Sequence, residues 1–391
     1  MRFARRFTPE DRAAGPYQYL EAEVPHDVDG FTVSLDYDRA HGVIDLGLVG
    51  PDRFAGWSGG ARYVVAMSRT WATPGYLPGP LAGRWQIVLG LHRVAAAGVD
   101  VKVKIELGGP ERPVQTPSPA PGERPPRHDL PASDGRRWRA GDFHAHTVHS
   151  DGALGLAELA ERAARRGLEV LAVTDHNTVS HHRHLATAGD HAGIALVPGQ
   201  EVTTDRGHAN VFGDVGWIDF RQPPDTWGQE ADRRGGLLCV NHPWRGELAW
   251  RYPGSAPAEV VEMWHSTWDR RSPVPWETFT RFGSVPIGGS DFHRPGSQEV
   301  GSPTTWLECE DTSTASVLAA LRSGRVAISA DPQGPVLIRH GDELVAVAAA
   351  GCRLVLADGE ERPVARDRWR IVADGPGRLV DTSGVTVALC P

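Results

Sequence analysis

Two histidines separated by one residue, His144 and His146, stand in the stretch DFHAHTVHSDG from Asp142 to Gly152. Side chains alternate faces along an extended strand, so both imidazoles point the same way and form a pincer for a metal ion. Further carriers of the same chemistry follow at intervals: Asp151, His176 in TDHN, Glu201, His208, His242 in NHP, and Asp291 with His293 in GSDFH. Asp291 and His293 repeat the one-residue spacing. A lone histidine at a strand end is more often a hydrogen-bonded core or surface residue than a ligand. Here the conjunction decides: this many imidazoles and carboxylates exceed what one ion can use, which points to two or three clustered divalent ions. Mixed nitrogen and hard oxygen donors suit Zn²⁺, Mn²⁺ or Fe²⁺, and such ions activate water for hydrolysis.

Elements of one kind must deliver these residues. Residues 137–143 read as a strand whose exit carries the first pair. A helix follows on Leu156, Leu159, Ala160 and Ala163, with Asp151 as its expected cap and Gly167 as its stop. EVLAVTDHN is an apolar strand ending at Asp175 and His176. ALVPGQEV, GHANVFG, GLLCVNHPW, AEVVEMWHS and SVPIGGSDFH each end on or near a donor. Strands alternating with amphipathic helices imply an α/β domain with its site at the strand ends. Residues 137–330 are expected to form that domain.

Before it, residues 1–108 carry short alternating runs such as FTVSLDYD, GVIDLGLV and VDVKVKIEL, which predict an N-terminal β-sandwich. Asp36, Asp38, Asp45 and Asp52 could hold calcium there, but turn roles are preferred. Residues 109–136 contain a run of prolines with little apolar content and read as a stiff linker. Residues 331–391 return to short strands and predict a small C-terminal β subdomain.

Composition narrows the partners. The 391 residues carry a net charge of -8, so general attraction to phosphate backbones or anionic lipid is absent and nucleic acid is not expected as an obligate partner. No signal-peptide core or membrane-length apolar run is visible, and a soluble, cytoplasmic protein is expected. The four cysteines have no paired spacing and read as buried small apolar residues.

The series HxHxxxSDG, TDHN, a lone Glu, a downstream His, NHP and GSDFH resembles the metal-binding motifs of the PHP (polymerase and histidinol phosphatase) superfamily. The N-terminal β region and ALRSGRVAIS resemble its carbaryl-hydrolase-type (CehA/McbA) members. The resemblance implies a distorted (β/α)7 barrel. It also implies a ligand set: one ion on His144, His146, Glu201 and Asp291, a second on Glu201, His208 and His242, and a third on Asp151, His176 and His293.

Around the ligands, Asp175 is a candidate to orient an imidazole, Arg245 to grip an anionic group, and His265, ahead of His149, to protonate a leaving group. His181, His182 and His184 read as a solvated helix face. Trp217, Trp227, Trp244, Trp250, Trp264 and Trp268 are candidates for an apolar rim. The leading expectation is a metal-dependent phosphoesterase that hydrolyses a small phosphorylated metabolite or nucleotide with a hydroxide shared by the ions. The alternatives are hydrolysis of a carboxyl ester, carbamate or amide, and a non-catalytic, metal-stabilised binding module.

Overall fold

The computed structural model describes residues 1–112, 118–244, 246, 249–252, 258–273, 275–277 and 283–391. The chain divides into two compact units. The first comprises Met1–Pro117, Val148–Asp151 and Asp175–His181; the second comprises Ser118–Thr147, Gly152–Thr174 and His182–Pro391.

The first unit holds two four-stranded antiparallel sheets. One has the spatial order Arg2–Phe7, Val99–Leu107, Gly30–Tyr37, Val64–Ser68; the other has Tyr17–Val24, Gly83–Val94, Gly42–Val49, Phe54–Trp57. Alternation explains how they share a core: Val33, Leu35, Val101 and Val103 from one sheet join Ile44, Leu46, Ile87 and Leu89 from the other in a single buried cluster. Arg2–Phe7 was not foreseen, because RFARRF carries three arginines and buries only Phe7. Of the aspartates weighed for calcium, Asp38 accepts from the Ala40 N–H at 2.9 Å, a turn role. Asp45 sits within a strand, and burial pushes its carboxyl up to about 7, which does not suit a calcium ligand.

Two short loops complete this unit. Thr178 Oγ1 donates to the Gly75 carbonyl at 2.8 Å, the Gly75 N–H donates to Ser180 Oγ at 3.1 Å, and the Arg62 guanidinium donates to the Val148 carbonyl. Positive φ at Gly75 (98°) lets the backbone turn there, and a Cβ would fall 2.7 Å from the His149 carbonyl oxygen.

In the second unit, Arg137–Asp142, Val170–Val173 and Ala195–Thr204 are parallel neighbours. Asp205 and Arg206 then turn the chain straight back, so Gly207–Phe212 is antiparallel to Ala195–Thr204, with Glu201 opposite Asn210 and Thr203 opposite His208. Leu237–Val240 is antiparallel to that strand, and Val260–His265 and Val285–Gly289 extend the sheet in parallel. On the other side Thr304–Cys309 pairs antiparallel with Arg137–Asp142. The second unit therefore mixes directions where uniform βα units were expected. Thr305 Oγ1 exchanges hydrogen bonds with Gly288, its N–H donating at 2.7 Å and its carbonyl accepting at 2.8 Å.

Helices cover this sheet. Leu156–Arg165 buries Leu156, Leu159, Ala160 and Ala163, as the spacing predicts, and Gly167 follows its end with φ 91°. Its cap is Gly155, whose N–H donates to Glu158 Oε2 at 2.7 Å, and not Asp151. The Pro-rich residues from Ser118 onward lie along this unit: His191 Nε2 donates to the Pro119 carbonyl at 2.7 Å and Trp138 Nε1 to that of Pro131 at 2.9 Å. Toward the C-terminus the thirteen-stranded sheet continues through Val326–Ser329, Thr386–Cys390, Gly377–Val380, Arg353–Leu356 and Glu361–Pro363. A three-stranded sheet of Val336–His340, Glu343–Val347 and Arg368–Val372 accompanies it. Leu337, Leu344, Leu354 and Leu379 form its core. Among the described residues no helix is long and apolar enough to cross a membrane.

Candidate metal centre

Asp142, the last residue of its strand, is fully buried. Its carboxylate accepts from the N–H groups of His144 (3.2 Å), Ser290 (3.0 Å) and Gly301 (2.7 Å), tying the two motif segments together. Burial nevertheless pushes its carboxyl up. Beyond it the His146 N–H donates to the Phe292 carbonyl at 2.9 Å, which brings Asp291 against the histidine pair.

His144 Nδ1 is 3.0 Å from Glu262 Oε1, and a carboxylate can only accept, so Nδ1 carries the proton. In the neutral ring Nε2 is then a lone pair. It is buried, makes no hydrogen bond among the described residues, and faces Glu201 Oε1 and Asp291 Oδ1, each at 3.3 Å. A lone pair against two carboxylate oxygens is repulsive unless a cation lies among them. His146 Nε2 adds a fourth donor, 3.1 Å from Asp291 Oδ1 and 3.6 Å from Glu201 Oε2. Two ligand atoms bound at about 2.0–2.2 Å to one ion are roughly 3.0–3.5 Å apart at the usual angles. These separations fit a first ion on His144, His146 and Glu201, whose donor atoms lie within one ion's reach of one another, with Asp291 Oδ1 beside the two histidines.

A second set shares Glu201. Glu201 Oε1 lies 3.0 Å from His208 Nδ1 and 3.6 Å from His242 Nε2, and accepts from Asn241 Nδ2 at 2.9 Å. Glu201, His208 and His242 present their donor atoms within one ion's reach of each other. His242 and Asp291 have φ of 26° and 51°, a left-handed backbone that non-glycine residues rarely adopt. Both positions are held by their surroundings: the His242 N–H donates to Glu262 Oε2 at 2.8 Å, and Asp291 is clasped by His146 and His265.

The proton arrangement drives the titration of this site. With no cation among these groups the ring takes a second proton at Nε2 in place of the lone pair: burial opposes charge on His144, but Glu262, Asp291 and Glu201 outweigh it and hold the imidazolium pKa well above the usual value. Burial likewise opposes charge on Asp291, and His144 and His146 prevail, holding its carboxyl well below the usual range.

Glu262 was missed by sequence reasoning. The signal was a single carboxylate inside the apolar run VVEMWH, and the strand's irregularity between Glu262 and Trp264 breaks the alternation that would have exposed it. His265 is buried here. The Thr267 N–H donates to its Nδ1 at 3.1 Å, so in the neutral ring the proton is on Nε2 and points to Asp291 Oδ2 at 3.1 Å.

In the first unit, Asp151 Oδ1 and His176 Nε2 lie 3.5 Å apart. Asp175 accepts from Ser150 Oγ at 2.7 Å and lies 3.2 Å from His181 Nδ1. His181 is fully buried, which corrects its reading as part of a solvated face: the buried Asp175 carboxylate draws it in. His149 Nδ1 is 2.7 Å from Ser180 Oγ. In the second unit His293 stacks on His146 with ring centres 4.3 Å apart. Arg245 lies outside the described residues. Trp227 and Trp264 are core residues and supply no rim, whereas Trp244, two residues after His242, is exposed.

Residues 142–253 match the family model of the PHP domain. A 5'-3' exoribonuclease of Haemophilus influenzae is 39% identical over 64 residues, 16% of this chain and 23% of that protein. A 3',5'-nucleoside bisphosphate phosphatase of Chromobacterium violaceum is 35% identical over 96 residues, 25% of this chain and 34% of that protein. The chain thus spans about a quarter to a third of the length of these curated relatives. Among solved structures, a two-domain protein of Bacteroides vulgatus containing a PHP-like metal-dependent phosphoesterase aligns with a TM-score of 0.46 at 16% identity, covering 68% of this chain and 98% of that one.

Proposed function

We propose that this protein is a metal-dependent phosphoester hydrolase acting on a small phosphorylated substrate, a nucleotide or a sugar phosphate. The carrying observation is His144 Nε2 turned onto two buried carboxylates that call for positive charge between them, beside a Glu201 carboxylate that serves two donor sets. The PHP-domain match supports phosphoester chemistry, and the two curated relatives are by name enzymes of nucleotide phosphoesters.

Bound divalent ions would lower the pKa of a shared water and neutralise charge on the attacked phosphoryl group. The chain's own residues prepare that site. Glu262 fixes the His144 tautomer, Asn241 orients Glu201, and His265 engages Asp291 Oδ2 so that Oδ1 is left toward the histidine pair. We assign His265 this positioning role first. The proposal is confined to the two ions that the second unit's own residues can hold, of Zn²⁺, Mn²⁺ or Fe²⁺ type. It takes the second unit as a distorted (β/α)7 barrel and the first as a β-sandwich.

The test is hydrolysis of a matched phenol series (phosphomonoester, phosphodiester, acetate, carbamate) with and without chelator. Chelator-sensitive release from the phosphoesters alone is expected. Preference for acetate or carbamate would favour the carbaryl-hydrolase-type reading instead. Glu201→Gln is expected to lower metal-dependent turnover by at least a hundredfold with the fold retained by circular dichroism, and turnover near the parent level would remove the shared role of Glu201.

A further inference from the structure

A cavity of about 290 Å³ opens in the second unit at the opposite ends of the strands that carry the metal centre. Arg137 begins the strand that Asp142 ends, and His144 lies seven residues on, roughly 20 Å away along an extended chain. The cavity belongs to no part of the site described above. One wall comes from the Pro-rich segment, the others from strand starts and from residues 332–333.

Its charges do not cancel. Glu169 Oε1 is shared by Arg139 at 2.7 Å and Arg127 at 3.1 Å, and Asp129 is paired with Arg368 at 3.1 Å. The acids are thereby consumed, and Arg137 lines the cavity with no ion pair among the described residues. Arg139 Nε and His128 Nε2 are buried and make no hydrogen bond among the described residues. Buried polar groups are rarely left so, and in a cavity wall they ask for a ligand or water. The indole N–H groups of Trp138 and Trp306 are already spent on the Pro131 carbonyl and Ser329 Oγ, each at 2.9 Å, and these largely buried rings (9% and 4% exposed) present only an apolar edge to the cavity.

We propose that this cavity is a second, metal-independent binding site for a small phosphomonoester with a planar or apolar body. Arg137 takes the phosphoryl oxygens through its fork of donors, and the tryptophan surface takes the body. The volume sits at the lower edge of ligand pockets, about 300–1,000 Å³, which excludes a polymer and suits a single mononucleotide-sized molecule or smaller.

The experiment is calorimetric titration of the chelator-stripped full chain with AMP, adenosine and inorganic phosphate. AMP is expected to bind, with adenosine at least tenfold weaker. Arg137→Gln is expected to weaken AMP at least tenfold while thermal midpoint and metal content stay at parent values. Glu201→Gln is expected to leave AMP binding unchanged. Equal AMP affinity in parent and Arg137→Gln, or binding that needs added metal or is lost in Glu201→Gln, would overturn the assignment. Should Arg137→Gln not fold, Arg137→Lys retains the charge without the fork and is expected to weaken AMP threefold or more, with parent affinity counting against the site. Because the stripped protein is used, this outcome is independent of whether the metal centre hydrolyses phosphoesters.

Discussion

Replacing Glu262 by Gln isolates the support of the metal centre from its ligands. The carboxylate accepts twice, from His144 Nδ1–H at 3.0 Å and from the His242 N–H at 2.8 Å, and both donors belong to proposed ligand residues, one in each set. A glutamine has one acceptor oxygen, so its amide N–H₂ must face one of these donors. One buried hydrogen bond to a charged group is lost, worth about 1.5–3 kcal/mol. At about 1.4 kcal/mol per factor of ten this is roughly 10–100-fold in metal affinity, the range seen when partners of metal-bound histidines are removed. The assay is competition for Zn²⁺ or Mn²⁺ against a chelator of known affinity, alongside kcat/KM at saturating metal. Tenfold or greater weakening of metal binding with an unchanged thermal midpoint of the loaded protein is expected. Metal affinity within twofold of the parent would refute the reasoning, since Glu262 would then hold neither His144 nor His242 in place.

Gly289→Ala is expected to abolish metal binding, because a Cβ there falls onto Glu262 Oε1 and lies 2.6 Å from His144 Cβ; chelator competition on the folded variant checks it. Asp45→Asn tests burial in the first unit. The folded carboxyl at about 7 lies above the usual 3.8, so its favourable neutral form is lost as pH rises through about 7. The amide variant should be more stable by about 1–3 kcal/mol at pH 8 and no different at pH 4, the figure being reduced because Asp45 as a whole is only half-buried; urea unfolding at both values decides. His144 gives a second pH dependence. Its raised pKa contributes stability that is complete below 6.5 and lost as pH climbs through the folded value, while the depressed Asp291 carboxylate contributes above 3.8 and is lost on acidification. Chelator-treated protein in the Asp45→Asn background should therefore lose thermal midpoint from neutral to alkaline pH, and a flat or rising profile would count against the imidazolium among the carboxylates.

How much could be read without coordinates depended on whether a residue's partner was close in sequence type or only in space. His144 with His146, and Asp291 with His293, announce themselves by spacing, and the apolar runs before Asp175, Glu201 and His242 are strands where periodicity predicts them. His181 did not, because HHRH is polar in composition and only the buried Asp175 carboxylate explains its burial. Trp227 and Trp264 looked like rim residues, yet large apolar side chains near a site are more useful to the core. The strand direction of Gly207–Phe212 is set by a two-residue turn, Asp205–Arg206, that carries neither Gly nor Asn at its centre to signal a hairpin.

That hairpin divides the centre by sequence distance. Glu201 and His208 are seven residues apart on paired strands, whereas His144 meets Glu262 across 118 residues and His146 meets Asp291 across 145. Loop closure makes distant contacts late and nearby ones early in folding. The Glu201–His208 pair thus closes a far shorter loop than the pairs that bring Glu262 and Asp291 to the histidines, so part of one donor set is assembled within a single hairpin while the rest waits on the completed sheet. The donor set around His144 is complete only once those long-range pairs have formed.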